Sequence, residues 1–356
     1  MAVVFSLYLD LGRILAAFAV FLTHAGAADE GYIARFGLDR FGHDAVVYFF
    51  VMSGFVVSYA VHYIDKNAHC FIVNRLARLY SVLLPSIVLI ISLRILIKWI
   101  DPIYYASIVS HSLVVMAATQ ILFIHQIWFW ELAEGPSWSI GYEFWYYVMF
   151  GVWTFTQGRK RAVFLFAIAL FVGPKILVLL PIWVLGAFVQ RVKWLPSKPA
   201  AYVMFFGSFI AYGAFRASGL SEAIAVRSIQ QLGLEPLGIA RYFMSDYVVA
   251  ALVAGNMLGF KTIQGHFGKF FLPFEATIRF AASFTFSLYL YHYILLQALS
   301  IIFPRGSYWL LPATLAIIMV LGVFTEHRKL EARRVVGEAL NLIKPLARLR
   351  RLTVLE

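Results

Sequence analysis

Arg13 and His24 stand eleven residues apart in the apolar run RILAAFAVFLTHAG. Eleven steps of about 100° bring both side chains to one face of a helix, about 16 Å apart along its axis. A charge at the centre of a membrane helix costs about 2.5–3.5 kcal/mol on insertion scales, so it is kept there with a partner or a task. Arg13 alone also reads as a snorkelling helix-end residue, and His24 alone as a hydrogen-bonded interfacial histidine. Their shared face is what favours function.

A second stretch, GPSWSIGYEFWYY at 135–147, carries Glu143. Gly135-Pro136 closes the preceding segment, Ser137 is placed to cap a helix, and Glu143 then falls about one and a half turns in. Ser139, four residues earlier, shares its face. His24 is the natural partner for a carboxylate at that depth, because a carboxylate orients an imidazole, fixes its tautomer and raises its basicity. The rival reading is a structural ion pair between helices. Trp138, Trp145, Tyr146 and Tyr147 fit an interfacial aromatic belt, and Trp138 also offers a stacking face to a sugar.

Arg75 and Arg78, in NRLARLY, lie one turn apart and suit bidentate phosphate binding, although topology alone also places basic residues there. In FFVMSGF, Ser53 and Gly54 are small residues that let helices pack closely. His292, within FSLYLYHYILL, is either a core histidine or a cavity-lining group. Asp10, Arg94, Asp246 and Glu326 are helix-end ionisable residues without an assigned task. No metal is expected: one cysteine, Cys70, gives no thiolate cluster, and His62/His69 and His111/His125 lack ligand spacing.

These residues need a membrane scaffold to position them. Of the 356 residues 62% are hydrophobic and 13% charged, and the mean hydropathy is +0.81, which excludes an ordinary soluble domain. Repeated long apolar runs predict an all-α polytopic membrane protein rather than a β-barrel. Ten spans are expected, near 5–25, 44–63, 79–98, 138–156, 162–174, 177–190, 200–217, 241–259, 280–303 and 308–326. The fifth and sixth are short and meet in a tight hairpin at Gly173-Pro174.

The net charge of +12 maps topology rather than nucleic acid. Twenty of the thirty Lys and Arg residues fall on the N-terminal side if the polar segment near 107–125 does not cross, and eight on the other. By the positive-inside rule that segment is re-entrant or interfacial and both termini are cytoplasmic. No basic n-region precedes the first run, so it is expected to be retained. Residues 1–326 form one transmembrane domain, and 327–356 a basic cytoplasmic tail with helical periodicity up to Pro345, suited to anionic lipid.

Taken together, these motifs resemble the acyltransferase-3 family of integral membrane acyltransferases. The family's arginine–ten residues–histidine signature matches Arg13 and His24. Its FFVLSGF-type second helix matches 49–55, with Met52 for the commoner leucine, and its basic start to the third helix matches Arg75 and Arg78. WSIGYE at 138–143 is similar to its WSL-x-x-E motif, and SLYLYH at 287–292 to its late S-x-YLxH segment.

The resemblance, from about residue 6 to 326, implies transfer of an acyl group, usually acetyl, from cytoplasmic acyl-CoA to an extracytoplasmic carbohydrate hydroxyl. The protein would sit in a bacterial inner membrane. Arg13, Arg75 and Arg78 would hold the CoA phosphates. His24 would be the general base or an acyl-carrying nucleophile, with Glu143 orienting it and Trp138, Ser139 and His292 lining the acceptor site. Partners would be acyl-CoA, the bilayer, and a surface polysaccharide or lipid-linked oligosaccharide; nucleic acid is not expected. The competing class is a transporter or flippase for a lipid-linked saccharide, whose intramembrane charges line a pathway without covalent chemistry.

Overall fold

A computed structural model of the protein describes residues 1–29, 37, 40–128, 130, 132, 135–303, 306–326 and 331–339. Among these residues every regular element is helical, and the protein is an all-α polytopic membrane protein. The principal helices are α1 (Val3–Asp29), α2 (Gly42–Tyr63), α3 (Ala68–Ile100), α4 (Pro102–Ile108), α5 (Leu113–Ile121), α6 (Trp138–Phe155) and α7 (Gly158–Val172). They continue with α8 (Pro174–Arg191), α9 (Lys198–Ala217), α10 (Leu220–Leu232), α11 (Phe243–Ile263), α12 (Glu275–Ser283), α13 (Thr285–Leu299) and α14 (Leu310–Glu326). Six described stretches are long and apolar enough to span a bilayer, or seven if the bent α4–α5 pair is one span. The ten expected spans include shorter or less apolar helices, such as the 15-residue α7 and α13 and the 17-residue α14. Between α1 and α2, residues 30–36, 38 and 39 lie outside the described residues; of the tail, 331–339 is helical.

Three elements differ from their sequence outlines. The expected span 79–98 belongs to a longer helix, α3, because the Asn67 side chain accepts from the Cys70 amide and starts it eleven residues earlier. Arg75 and Arg78 are therefore well inside a helix. The span at 280–303 is two helices, α12 and α13, parted at Phe284. A carbonyl freed near that break, Ala282 O, accepts from the Arg13 guanidinium at 3.0 Å, a favourable cation at a helix C-terminus. Ser137 precedes α6 in helical conformation and makes no side-chain cap; the turn there is a 3₁₀ segment, Gly135–Ser137.

The segment near 107–125 folds as α4 and α5, bent by 41°, which is the shape of a broken span or a re-entrant element. Asp101 caps α4 through the Tyr104 amide at 2.8 Å, with Pro102 in the first turn, where a missing N–H costs nothing. Beyond α5 the chain is irregular, and its carbonyls are met by side chains. Tyr80 donates to Ile121 O at 2.8 Å and the Trp145 indole to Phe123 O at 2.9 Å. The expected tight turn between α7 and α8 is a single residue, Gly173.

The closest packing is between α2 and α8. A Cβ on Gly54 would lie 1.9 Å from Trp183 O, and one on Gly186 1.8 Å from Val51 O, so only glycine admits this approach. One end of the bundle gathers Met1, Tyr59, Arg75 and Lys261; the other gathers Thr23, Gly42, Arg216 and Asp246.

Two predictions follow from this packing. Gly54→Val should cost about 3 kcal/mol or more through overpacking, read as a lower melting midpoint of the detergent-solubilised protein; an unchanged midpoint would refute the glycine contact. His125, fully buried between Thr119 O and Ser137 O, is held down by burial at about 4 from 6.5. The unfolded chain thus binds the proton first as pH falls. Its contribution is complete above about pH 6.5 and is lost towards pH 4, on the order of 3 kcal/mol. His125→Gln should flatten the acid limb of the stability profile, measured as melting midpoint between pH 7 and 5.

Candidate functional site

Five helices bring the candidate residues to one passage. At the Met1 end a cavity of about 160 Å³ is lined by Asp10 and Arg13 of α1, Ser53 of α2, and Arg75 and Arg78 of α3. It adjoins a second, of about 70 Å³, walled by Ser139 and Glu143 of α6 and Tyr289 of α13. Arg13, Met52, Ser53 and Arg78 line both. The structure therefore unites the three sequence-predicted arginines with Ser139 and Glu143.

Each arginine has a different setting. Arg13 Nη2 lies 3.1 Å from Asp10 Oδ1 as well as donating to Ala282 O. Arg75 approaches the buried Asp65 at 3.5 Å, Asn74 holds the other carboxylate oxygen, and the guanidinium faces the rings of Phe71 and Tyr147 at 5.8 Å. The two aromatic faces and the Asp65 carboxylate orient the Arg75 guanidinium at the cavity wall.

Glu143 is fixed by hydroxyls. Its Oε1 accepts from Ser53 Oγ at 2.6 Å and from Tyr147 Oη, and Ser53 in turn accepts from the Trp183 indole at 3.2 Å. Ser53, which reads in the sequence as a packing residue, is thus also a polar hub. The expected His24–Glu143 contact is not made. Glu143 opens on the Arg13 cavity, three turns along α1 from His24. The His24 ring rests instead against His292, with centroids 5.2 Å apart, and edge-on against Tyr293 at 5.1 Å.

His292 Nδ1 donates to Leu288 O at 2.7 Å, which fixes the tautomer when the ring is neutral and leaves the lone pair on Nε2. That nitrogen is buried without a hydrogen-bond partner among the described residues. Tyr289 links the two parts of the site. Its hydroxyl pairs with Ser139 Oγ at 2.7 Å and lies 3.0 Å from Pro136 O, and His292 follows one turn later on the same face. Trp138 lines neither cavity; it packs edge-on to Phe50 and Tyr142. Among the described residues no group of three or more His, Cys, Asp or Glu is placed to hold a metal ion.

A family model described as an acyltransferase domain matches residues 6–325, nearly the whole chain. The chain belongs to the acyltransferase-3 family. Comparison with curated proteins gave no match, and comparison with solved structures gave none either. The matched range takes in every element of this acyltransferase from α1 to α14, so the passage and the His24–His292 pair lie within the acyltransferase domain. Tyr289 joins this site without having been a candidate for it, although it is the tyrosine of the S-x-YLxH match at 287–292, and Ser53 joins it as a hydroxyl rather than a packing residue.

Tyr289→Phe removes the hydroxyl that joins Ser139 to the α13 face. Acyl-transfer rate should fall about tenfold with no change in folding, compared at equal amounts of folded protein; undiminished transfer would remove Tyr289 from the site.

Proposed function

We propose that this acyltransferase takes an acyl group, acetyl foremost, from cytoplasmic acyl-CoA and transfers it to a carbohydrate hydroxyl on the other side of a bacterial inner membrane, with both chain termini cytoplasmic. The observation that carries this reading is the cavity at the Met1 end, lined by three arginines and adjoining a second one walled by Ser139, Glu143 and Tyr289.

In this reading Arg75 and Arg78 hold CoA phosphates at the Met1 end, with Arg13 at the inner wall. The pantetheine arm extends past Ser53 and Glu143, and the about 16 Å from Arg13 to His24 suits its length. Glu143 acts on the passage wall through Ser53 and Tyr147, and orientation of His24 falls to His292 and Tyr293. An acceptor hydroxyl approaches His24 from the other end of α1. His24 takes its proton, the oxygen attacks the thioester carbonyl, the carbon–sulfur bond breaks, and the imidazolium returns the proton to the CoA thiolate. In the covalent variant His24 attacks first and carries the acyl group. Trp138 supports α6 from its aromatic contacts.

The test is purified protein in lipid with radiolabelled acetyl-CoA, wild type beside His24→Ala and Arg75→Ala. CoA release or label transfer should disappear in His24→Ala, and label trapped on wild-type protein would select the covalent route. Arg75→Ala should weaken donor binding about tenfold or more. No binding or turnover of acyl-CoA by wild type would favour a lipid-linked saccharide transporter.

A further inference from the structure

The Met1 end of the bundle holds a further cavity, of about 160 Å³, that the passage does not use. It lies between α1, α2, α8 and the end of α11, and Met1 lines both it and the arginine cavity. Its walls differ in kind from those of the passage. They carry the rings of Tyr59 and Tyr63, the amides of Gln190 and Gln264, and the ammonium of Lys261.

Both amides are oriented by their neighbours. Arg191 Nε donates to Ser58 Oγ at 3.3 Å, so the Ser58 hydroxyl donates in turn to Gln190 Oε1 at 3.0 Å. The NH2 group is the half of the Gln190 amide left to donate. Gln264 is turned the other way. Its Nε2 donates to Lys261 O at 2.7 Å, and its Oε1 is buried without a hydrogen-bond partner among the described residues. A buried amide oxygen left without a donor costs free energy, and a ligand N–H removes that cost. The two glutamines thus bring one donor and one acceptor. Adenine carries the complement on a single edge, an exocyclic N–H that donates and a ring nitrogen that accepts. Tyr59 and Tyr63, with ring centroids 4.6 Å apart, supply the aromatic faces on which a base stacks. Lys261 gives one N–H to Val192 O at 3.2 Å and keeps its others for a phosphate oxygen.

We infer that this cavity is an adenine site. Gln190 donates to a ring nitrogen of the base, Gln264 Oε1 accepts from the exocyclic amine, and Lys261 meets the phosphate on the ribose. The inference rests on the acyl-CoA reading and extends it from the class of donor to the means of selecting it. In that reading the passage takes the pantetheine arm and the pyrophosphate, and Met1 alone lines both spaces, so the ribose crosses beside it. An acyl group carried on phosphopantetheine alone, as on a carrier protein, lacks the part that this cavity reads. Free acyl-CoA is therefore selected over such donors.

The full chain in phosphatidylcholine nanodiscs is titrated calorimetrically with adenosine 3′,5′-bisphosphate and with its 1,N6-etheno derivative, whose added ring blocks the exocyclic amine and the adjacent ring nitrogen together. The unmodified nucleotide should bind about tenfold more tightly. Gln190→Met and Gln264→Met, each close in shape to the glutamine, should each erase that preference. Binding of the etheno derivative should stay as in wild type, which reports an intact fold. No binding of the bisphosphate, equal binding of both nucleotides by wild type, or a preference that survives both substitutions would overturn the site. Base-selective binding without acyl transfer removes only the transferase reading; acyl transfer with equal KM for acetyl-CoA and its etheno analogue removes only the adenine site.

Discussion

A carbonyl oxygen resting against a glycine Cα, where α2 crosses α8, sets the geometry on which the passage depends. Trp183 presents its carbonyl to Gly54 and its indole N–H to the neighbouring Ser53. The same contact therefore brings two helix axes together and aims a hydroxyl. Ser53 donates a hydrogen bond to Glu143, and Glu143 also accepts one from Tyr147, whose ring faces Arg75. A shift at the crossing would consequently be felt at the arginines, through this chain of bonds.

What the sequence conveys well is whatever follows from one helix at a time. The all-α class comes from apolar run length, the common face of Ser139 and Glu143 from a spacing of four, and the break at Gly173-Pro174 from two residues with strong backbone preferences. The common cavity of Arg13, Arg75 and Arg78 is a relation among helices, which the family resemblance implied and spacing within one helix does not. Less legible is which side chain answers another across the bundle. Glu143 and His24 both read as belonging to one end, but the start of α6 does not fix its height beside α1. That height is set by the 3₁₀ turn at Gly135–Ser137, where Gly135 sits on the Tyr293 ring. The carboxylate is left beside Arg13, and His292 takes the place by His24.

The paired histidines differ from a carboxylate–histidine arrangement in their hydrogen bonding. A carboxylate only accepts hydrogen bonds, whereas an imidazole carries a donor and an acceptor. His292 Nδ1 is already committed to a backbone carbonyl, Leu288 O. At the end of the bundle that holds Thr23, His43 Nε2 instead meets the buried carboxylate of Asp246 at 2.8 Å.

The two walls beside Arg13 are mechanically unlike. On one side α1 runs from Val3 to Asp29 without a break, so Arg13 and His24 are two marks on a stiff ruler whose separation no bending of the bundle alters. On the other, α12 and α13 are jointed at Phe284, and Arg13 grips the carbonyl beside that joint. A displacement of α12 against α13 would therefore reach the passage through one bond, that of Arg13 to Ala282 O.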